Sequence, residues 1–245
     1  MAVNLKLERS LVEVVGGQEV ILETLNHSPT EPIFRQNGYE VNGDKKSFAL
    51  EFDAANSEYV QIDNDYGIIT SSDLSFYVDF EYDDSTPEKT ILQVGSTSGE
   101  TILLRQRATN RALLVITGSL GQKSVNINGL SNGRHTIEVI GLNIYLNGVL
   151  ATAIVEYGTV TLDYVSYPLL ISAGESGANF RNGAVYGFSF QGELYNLTEG
   201  LGNQVYGSGG TIGTIKTSHA DGTLRTNFGQ WLKGDDTNGW FSYTV

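Results

Sequence analysis

No cysteine occurs among the 245 residues, so no disulfide is possible and a cross-linked extracellular scaffold is excluded. Stability must come from core burial or from assembly. Proline and methionine are scarce, at 4 and 1, while Gly 29, Tyr 13 and Phe 10 describe many strands joined by tight turns. Segments of helical period are nearly absent. Cations are few: 15 Lys and Arg face 28 Asp and Glu, a formal net charge of −13. Such a chain repels a phosphate backbone unless it segregates a basic patch, and none stands out in the sequence, so nucleic acid is not an expected partner. No apolar run approaches the roughly 20 residues of a membrane helix, so no membrane insertion is expected. The opening MAVNLKLERSLVEVV alternates apolar and charged residues and lacks the apolar core of a signal peptide. Synthesis in a cytoplasm without classical secretion is the expectation.

What is present is alternation. Val3, Leu5 and Leu7 alternate with Asn4, Lys6 and Glu8, and a second apolar run at 20–22 follows the Gly16-Gly17 turn. Residues 26–38, with Pro29, Pro32 and Gly38, read as a connection. Leu74, Phe76, Val78, Phe80 and Tyr82 then form the cleanest period of two in the chain, against Ser75, Tyr77, Asp79 and Glu81 on the opposite face. Strand-like runs at 90–94, 101–106, 111–117 and 123–127 follow at the spacing of a sandwich or barrel. Asn147-Gly148 between 143–146 and 149–152 predicts a type I′ hairpin, because both central residues must take positive φ. Beyond Tyr195 glycine dilutes the apolar residues, and strands resume near 211–216 and 240–245. The organisation expected is an N-terminal β arm and possible attachment segment over 1–45, a sandwich over 46–195, and a C-terminal extension over 196–245 that packs on the sandwich or a neighbouring subunit.

Three patches in fixed order carry a resemblance: FALEFDAANSEYVQI at 48–62, RHTIEVIGLNIYLNGVL at 134–150 and PLLISAGESGANFRNGAVYGFSFQGELY at 168–195. With the strand at 74–82 they resemble the concanavalin A-like, laminin-G-like jelly roll. The resemblance implies an all-β fold, a two-sheet antiparallel jelly-roll sandwich with the N-terminal β arm and a glycine-rich C-terminal extension. It also implies recognition rather than catalysis. A second segment, YNLTEGLGNQVYG at 195–207, is similar to stretches beside such sandwiches in tailed-phage structural proteins. That likeness implies a non-enzymatic virion protein, a tail fibre or capsid decoration. Its partners would be itself as a homo-oligomer, other virion proteins, and a host cell-surface polysaccharide. The alternatives are a stand-alone carbohydrate-binding module and a glycoside hydrolase.

The hydrolase alternative rests on Asp79, Glu81 and Asp83, which share one face if their strand runs to Asp83. Asp83 and Asp84 are instead candidates for Ca²⁺, whose hard charge suits carboxylate oxygens. Asp63-Asn64-Asp65 imitates the start of a calcium loop, yet its twelfth position is Leu74, so a turn is expected. His135 alternates with Ile137 and Val139 and reads as a partly buried structural residue. A sugar offers an apolar face and a rim of hydroxyls, so its binding needs aromatic platforms beside polar groups. Tyr164, Tyr167, Asn179, Arg181, Trp231 and Trp240 are the candidates. No nucleophile elbow, phosphate loop or dinucleotide fingerprint appears.

Overall fold

A computed structural model describes residues 4–6, 10–15, 18–24, 47–85, 88–96, 98–162, 168–174, 179–195, 197, 204–217, 231–235 and 239–242. Its strands are β1 (Asn4–Lys6), β2 (Ser10–Val15), β3 (Gln18–Thr24), β4 (Ser47–Phe52), β5 (Glu58–Ile62), β6 (Gly67–Thr70), β7 (Ser75–Tyr82) and β8 (Lys89–Gly95). They continue as β9 (Thr101–Arg107), β10 (Arg111–Gly118), β11 (Gly121–Asn128), β12 (Gly133–Ile140), β13 (Asn143–Leu146), β14 (Val149–Ala153), β15 (Thr159–Leu162) and β16 (Leu169–Ile171). The last are β17 (Gly183–Phe190), β18 (Glu193–Tyr195), β19 (Gln204–Tyr206), β20 (Ile212–Thr217), β21 (Trp231–Asp235) and β22 (Gly239–Ser242). For β1 to β3, β21 and β22 only the backbone is described.

Two antiparallel sheets face each other. One has eight strands in the order β11-β10-β9-β8-β16-β5-β20-β19. The other has nine, β14-β13-β12-β7-β17-β4-β21-β22, with β18 also paired to β17. This is the two-sheet jelly-roll sandwich expected from the sequence. A separate pair, β15-β6, and a three-stranded sheet, β1-β2-β3, complete the described strands.

Period-two alternation is what makes the sandwich. Ile102, Leu104, Leu114 and Ile116 project from the eight-stranded sheet into one cluster with Phe76, Val78, Phe80, Ile137, Val139, Phe188 and Phe190 of the nine-stranded sheet. All are buried, and each such side chain contributes about 1.5–3 kcal/mol when withdrawn from water. Strands beyond Tyr195 also enter the sheets: β20 pairs with β5, and β21 with β4. Gly213 makes the first pairing possible, since a Cβ there would lie 2.6 Å from Val205 Cγ2 and 2.8 Å from Ile62 Cγ1. The short strands β6 and β15 went unread in the sequence, because four residues between turns carry too little alternation to register.

Candidate functional site

Each sheet turns one set of side chains outward. On the nine-stranded sheet, β7 presents Tyr77, Asp79 and Glu81, and β12 places Glu138, Thr136 and Arg134 opposite them. These groups are engaged with one another. Arg134 grips the nearly buried Asp79 with both arms of its fork, Nε to Oδ1 at 2.9 Å and Nη2 to Oδ2 at 2.7 Å. The same guanidinium lies 4.2 Å from the centroid of Tyr186, and its pKa is raised above the ordinary value by the hydrogen bond to Asp79. Tyr77 donates to Asp79 Oδ2 at 3.3 Å, and burial with that neighbouring charge pushes its phenol up to about 12. Glu81 accepts from the Ala184 amide at 3.3 Å. β7 stops at Tyr82, so Asp83 leaves the face, and the alternating carboxylate trio needed by the hydrolase reading does not form.

Asp83 and Asp84 sit in the turn after β7. Asp83 accepts from the Ser85 amide and hydroxyl at 2.9 and 2.7 Å. Asp84 accepts from the Tyr82 hydroxyl at 2.9 Å and the Asn110 amide at 3.3 Å; those bonds, the tyrosine first, hold its pKa below the ordinary carboxylate value. Asp65 accepts from the Gly67 amide at 2.9 Å, the turn expected there. Among the described residues no group of three or more His, Asp or Glu stands close enough to hold a metal ion.

The glycan candidates are dispersed. Arg181 is wholly buried: it donates from Nη2 to Ala184 O at 2.8 Å and from Nη1 to Glu81 O, and it lies 5.6 Å from the Phe80 ring centroid. Burial draws its pKa down to about 10 against the opposing pull of Glu81. With no surface exposed, Arg181 is a core residue and offers a sugar nothing. Asn179 is exposed in the connection between β16 and β17, and its carbonyl accepts from the Thr90 amide of β8 at 3.0 Å. Trp231 and Trp240 lie in β21 and β22, in register with Leu50 and Gly234. Tyr164 and Tyr167 fall outside the described residues. His135 is buried, with Nε2 2.8 Å from Ser131 O and Nδ1 3.0 Å from Asn147 Nδ2, the structural role expected.

The outer face of the eight-stranded sheet has a different character. Over β9, β10 and β11 the register aligns four rows: Arg107, Arg111 and Asn128; Arg105, Leu113 and Asn126; Leu103, Val115 and Ser124; Thr101, Thr117 and Gln122; in the last two the β9 members, Leu103 and Thr101, are buried. Their alternates, among them Ile102, Leu104, Ala112, Leu114, Ile116 and Ile127, point into the core. Gln122, Ser124, Asn126 and Asn128 are exposed, and Leu113 and Val115 form a half-exposed apolar strip beside them. Arg107 is ion-paired with Glu88, Arg111 donates from Nε to Ala108 O at 3.2 Å, and the buried Nε of Arg105 has no partner among the described residues. Amide and hydroxyl groups over an apolar strip, with guanidinium groups at one end, can hydrogen-bond a polyhydroxylated chain and attract its negative charge.

This corrects the reading that the chain segregates no basic patch. Residues 101–137 contain no Asp or Glu, and of their five Lys and Arg three, Arg105, Arg107 and Arg111, share this face, while Lys123 is in register with the core residue Ile116 and Arg134 pairs with Asp79 on the other sheet. The signal lay in that acid-free run, and in two arginines two residues apart followed across a turn by a third. Net charge summed over the whole chain concealed it.

No protein-family model matches the chain, and no curated protein matches it. Among solved structures, the chain is similar to a native heptameric SAP-like pentraxin of Limulus polyphemus at 9% identity and a TM-score of 0.41, over 59% of this chain and 75% of that one. It is also similar to domains LG4-5 of the mouse laminin α1 chain at 14% identity and a TM-score of 0.46, over 66% of this chain and 45% of that one. The fold assignment rests on the two sheets themselves. Among the described residues, no helix is long and apolar enough to cross a membrane.

Proposed function

We propose that this chain is a non-enzymatic recognition protein of a virus particle, a tail-fibre or capsid-decoration subunit that holds an acidic host-surface polysaccharide across the outer face of β9 to β11. The observation that carries the ligand class is the acid-free run 101–137, folded so that Arg105, Arg107 and Arg111 meet Asn126 and Asn128 on one surface of a chain with a formal net charge of −13. The virion assignment is supported by the likeness of residues 195–207 to phage structural proteins and by the absence of cysteine.

Charge density favours polysaccharide over nucleic acid. Duplex DNA presents one negative charge per roughly 1.7 Å of axis and calls for many unpaired cations. A uronic-acid polymer carries at most one carboxylate per sugar and surrounds it with hydroxyls. Three arginines, one already paired to Glu88, beside a row of amides suit the sparser polymer. Catalysis by the carboxylates of the opposite sheet is disfavoured because both oxygens of Asp79 are engaged by Arg134.

Binding is tested by titrating the protein with a uronate-bearing polysaccharide, its carboxyl-reduced neutral form and a single-stranded polynucleotide. Saturable binding to the first that weakens with salt is expected. Arg105→Ala and Arg111→Ala should each weaken it about three- to tenfold. Preference for the polynucleotide, or binding unchanged in both variants, overturns the ligand assignment. Mass spectrometry of purified particles tests the virion assignment, which fails if the chain is absent from them.

A further inference from the structure

We propose that Asn128 is a self-modifying site, whose conversion to aspartate puts a negative charge on the outer face of β9 to β11 and loosens the hold of that face on a polyanion. The effect on binding rests on the function proposed above; the conversion itself does not. An Asn-Gly pair is where a chain most readily attacks its own side chain, because glycine has no Cβ to obstruct the approach of its nitrogen. Four such pairs lie wholly within the described residues, at 128–129, 132–133, 147–148 and 182–183.

Three of the four are held. The carboxamide oxygen of Asn132 accepts from the Asp84 amide at 2.8 Å, that of Asn147 from the Thr136 amide at 2.9 Å, and that of Asn182 from the Ala54 amide at 2.7 Å. Each bond fixes the side chain and must break before Cγ can turn toward the following nitrogen. Asn128 is exposed, and among the described residues no hydrogen bond engages its carboxamide. It is the last residue of β11, so the nitrogen it must meet lies just beyond the strand. That nitrogen, of Gly129, donates to Asn110 O at 3.0 Å, but Leu130 donates to the same oxygen at 3.1 Å and keeps it satisfied when Gly129 turns away. The turn has room: beyond its chain neighbours, a Cβ on Gly129 would meet only Leu146 Cδ2, at 3.8 Å.

The step balances without an oxidant or cofactor. The Gly129 nitrogen gives up its proton and attacks Asn128 Cγ; a C–N bond forms, the bond from Cγ to Nδ2 breaks, and ammonia leaves with the proton. Water then opens the cyclic imide at one of its carbonyls, giving aspartate or isoaspartate. Arg111 lies directly across from Asn128 in the register, within reach of the negative oxygen that develops on Cγ. The product carboxylate stands in one row with Arg107 and Arg111 and offsets their charge.

Timed peptide mass mapping of the full chain in mildly alkaline buffer, folded and in urea, tests this. In the folded protein Asn128 should convert about fivefold faster than Asn132, Asn147 or Asn182, the effect of one hydrogen bond not having to break. In urea the four rates should converge. Another of the four converting first in the folded protein overturns the proposal, and so does a lead for Asn128 that persists in urea. Binding of the uronate-bearing polysaccharide should weaken as the protein ages, in step with Asn128 conversion, and Asn128→Asp should show a loss of about three- to tenfold from the start. A wild type that binds beside an Asn128→Asp variant that binds equally well overturns the effect on binding. Fresh wild type without affinity for the polymer overturns the function proposed for the face and this effect with it, while the order of conversion rates still decides the modification.

Discussion

Arg181 keeps its charge inside the core, where burial alone would penalise it. Two backbone carbonyls, Glu81 O and Ala184 O, and the Phe80 ring compensate. Arg181→Ala would remove the guanidinium, open a cavity and leave both carbonyls short of a donor. The expected loss is about 3–5 kcal/mol, read as a lower midpoint in urea unfolding. Asp79 and Arg134 form a better-paired couple, but Arg134 is half-exposed and solvent screens it. Arg134→Met should therefore cost less, about 1–2 kcal/mol on the same measurement.

The hairpin joining β13 to β14 shows how a local signal becomes an element. Asn147 and Gly148 take φ of 51° and 76°, the positive pair that a type I′ turn requires. Asn147 also accepts from the Thr136 amide at 2.9 Å and lies 3.0 Å from His135, which ties the turn to β12. Asn147→Ala should cost about 2 kcal/mol, half from the strained backbone and half from the lost bonds. A Cβ at Gly148 would meet nothing within 4 Å, so Gly148→Ala should cost only the conformational part, about 1 kcal/mol. Thermal unfolding of the two variants separates these contributions. The hairpin was evident from its dipeptide. The face built on β9 to β11 was not, although all its residues lie within 101–128, because its character depends on which side each strand turns outward and on the register between neighbours.

For the molecule as a whole, buried phenols set the alkaline limit. Burial pushes Tyr77 and Tyr157 up to about 12, and Tyr66 and Tyr195 higher still. In the unfolded chain each ionises near 10, so between those values the unfolded state binds fewer protons. Their contribution to stability is complete below pH 10 and is lost as pH rises toward 12 and beyond. Arg181, lowered to about 10, works in the opposite sense over the same window, one group against several raised phenols, since Tyr59, Tyr82 and Tyr186 are raised as well. Net stability should therefore fall from about pH 10 upward. Tyrosinate absorbance followed beside circular dichroism checks this: the four phenols should ionise only as the fold is lost.

Period-two alternation and turn chemistry are local properties, set by neighbours along the chain. That is why the sequence alone determined the all-β class, the inward residues of β7 and β12, the Asn147-Gly148 hairpin and the structural place of His135. Meetings between side chains depend on register and on packing between elements distant in the chain. Only the tertiary structure could close Arg134 on Asp79, draw Arg181 wholly inside, and divide the outward polar groups between the two sheets. The acid-free run was written in the sequence, but it became a surface only when three antiparallel strands turned the same alternate residues outward.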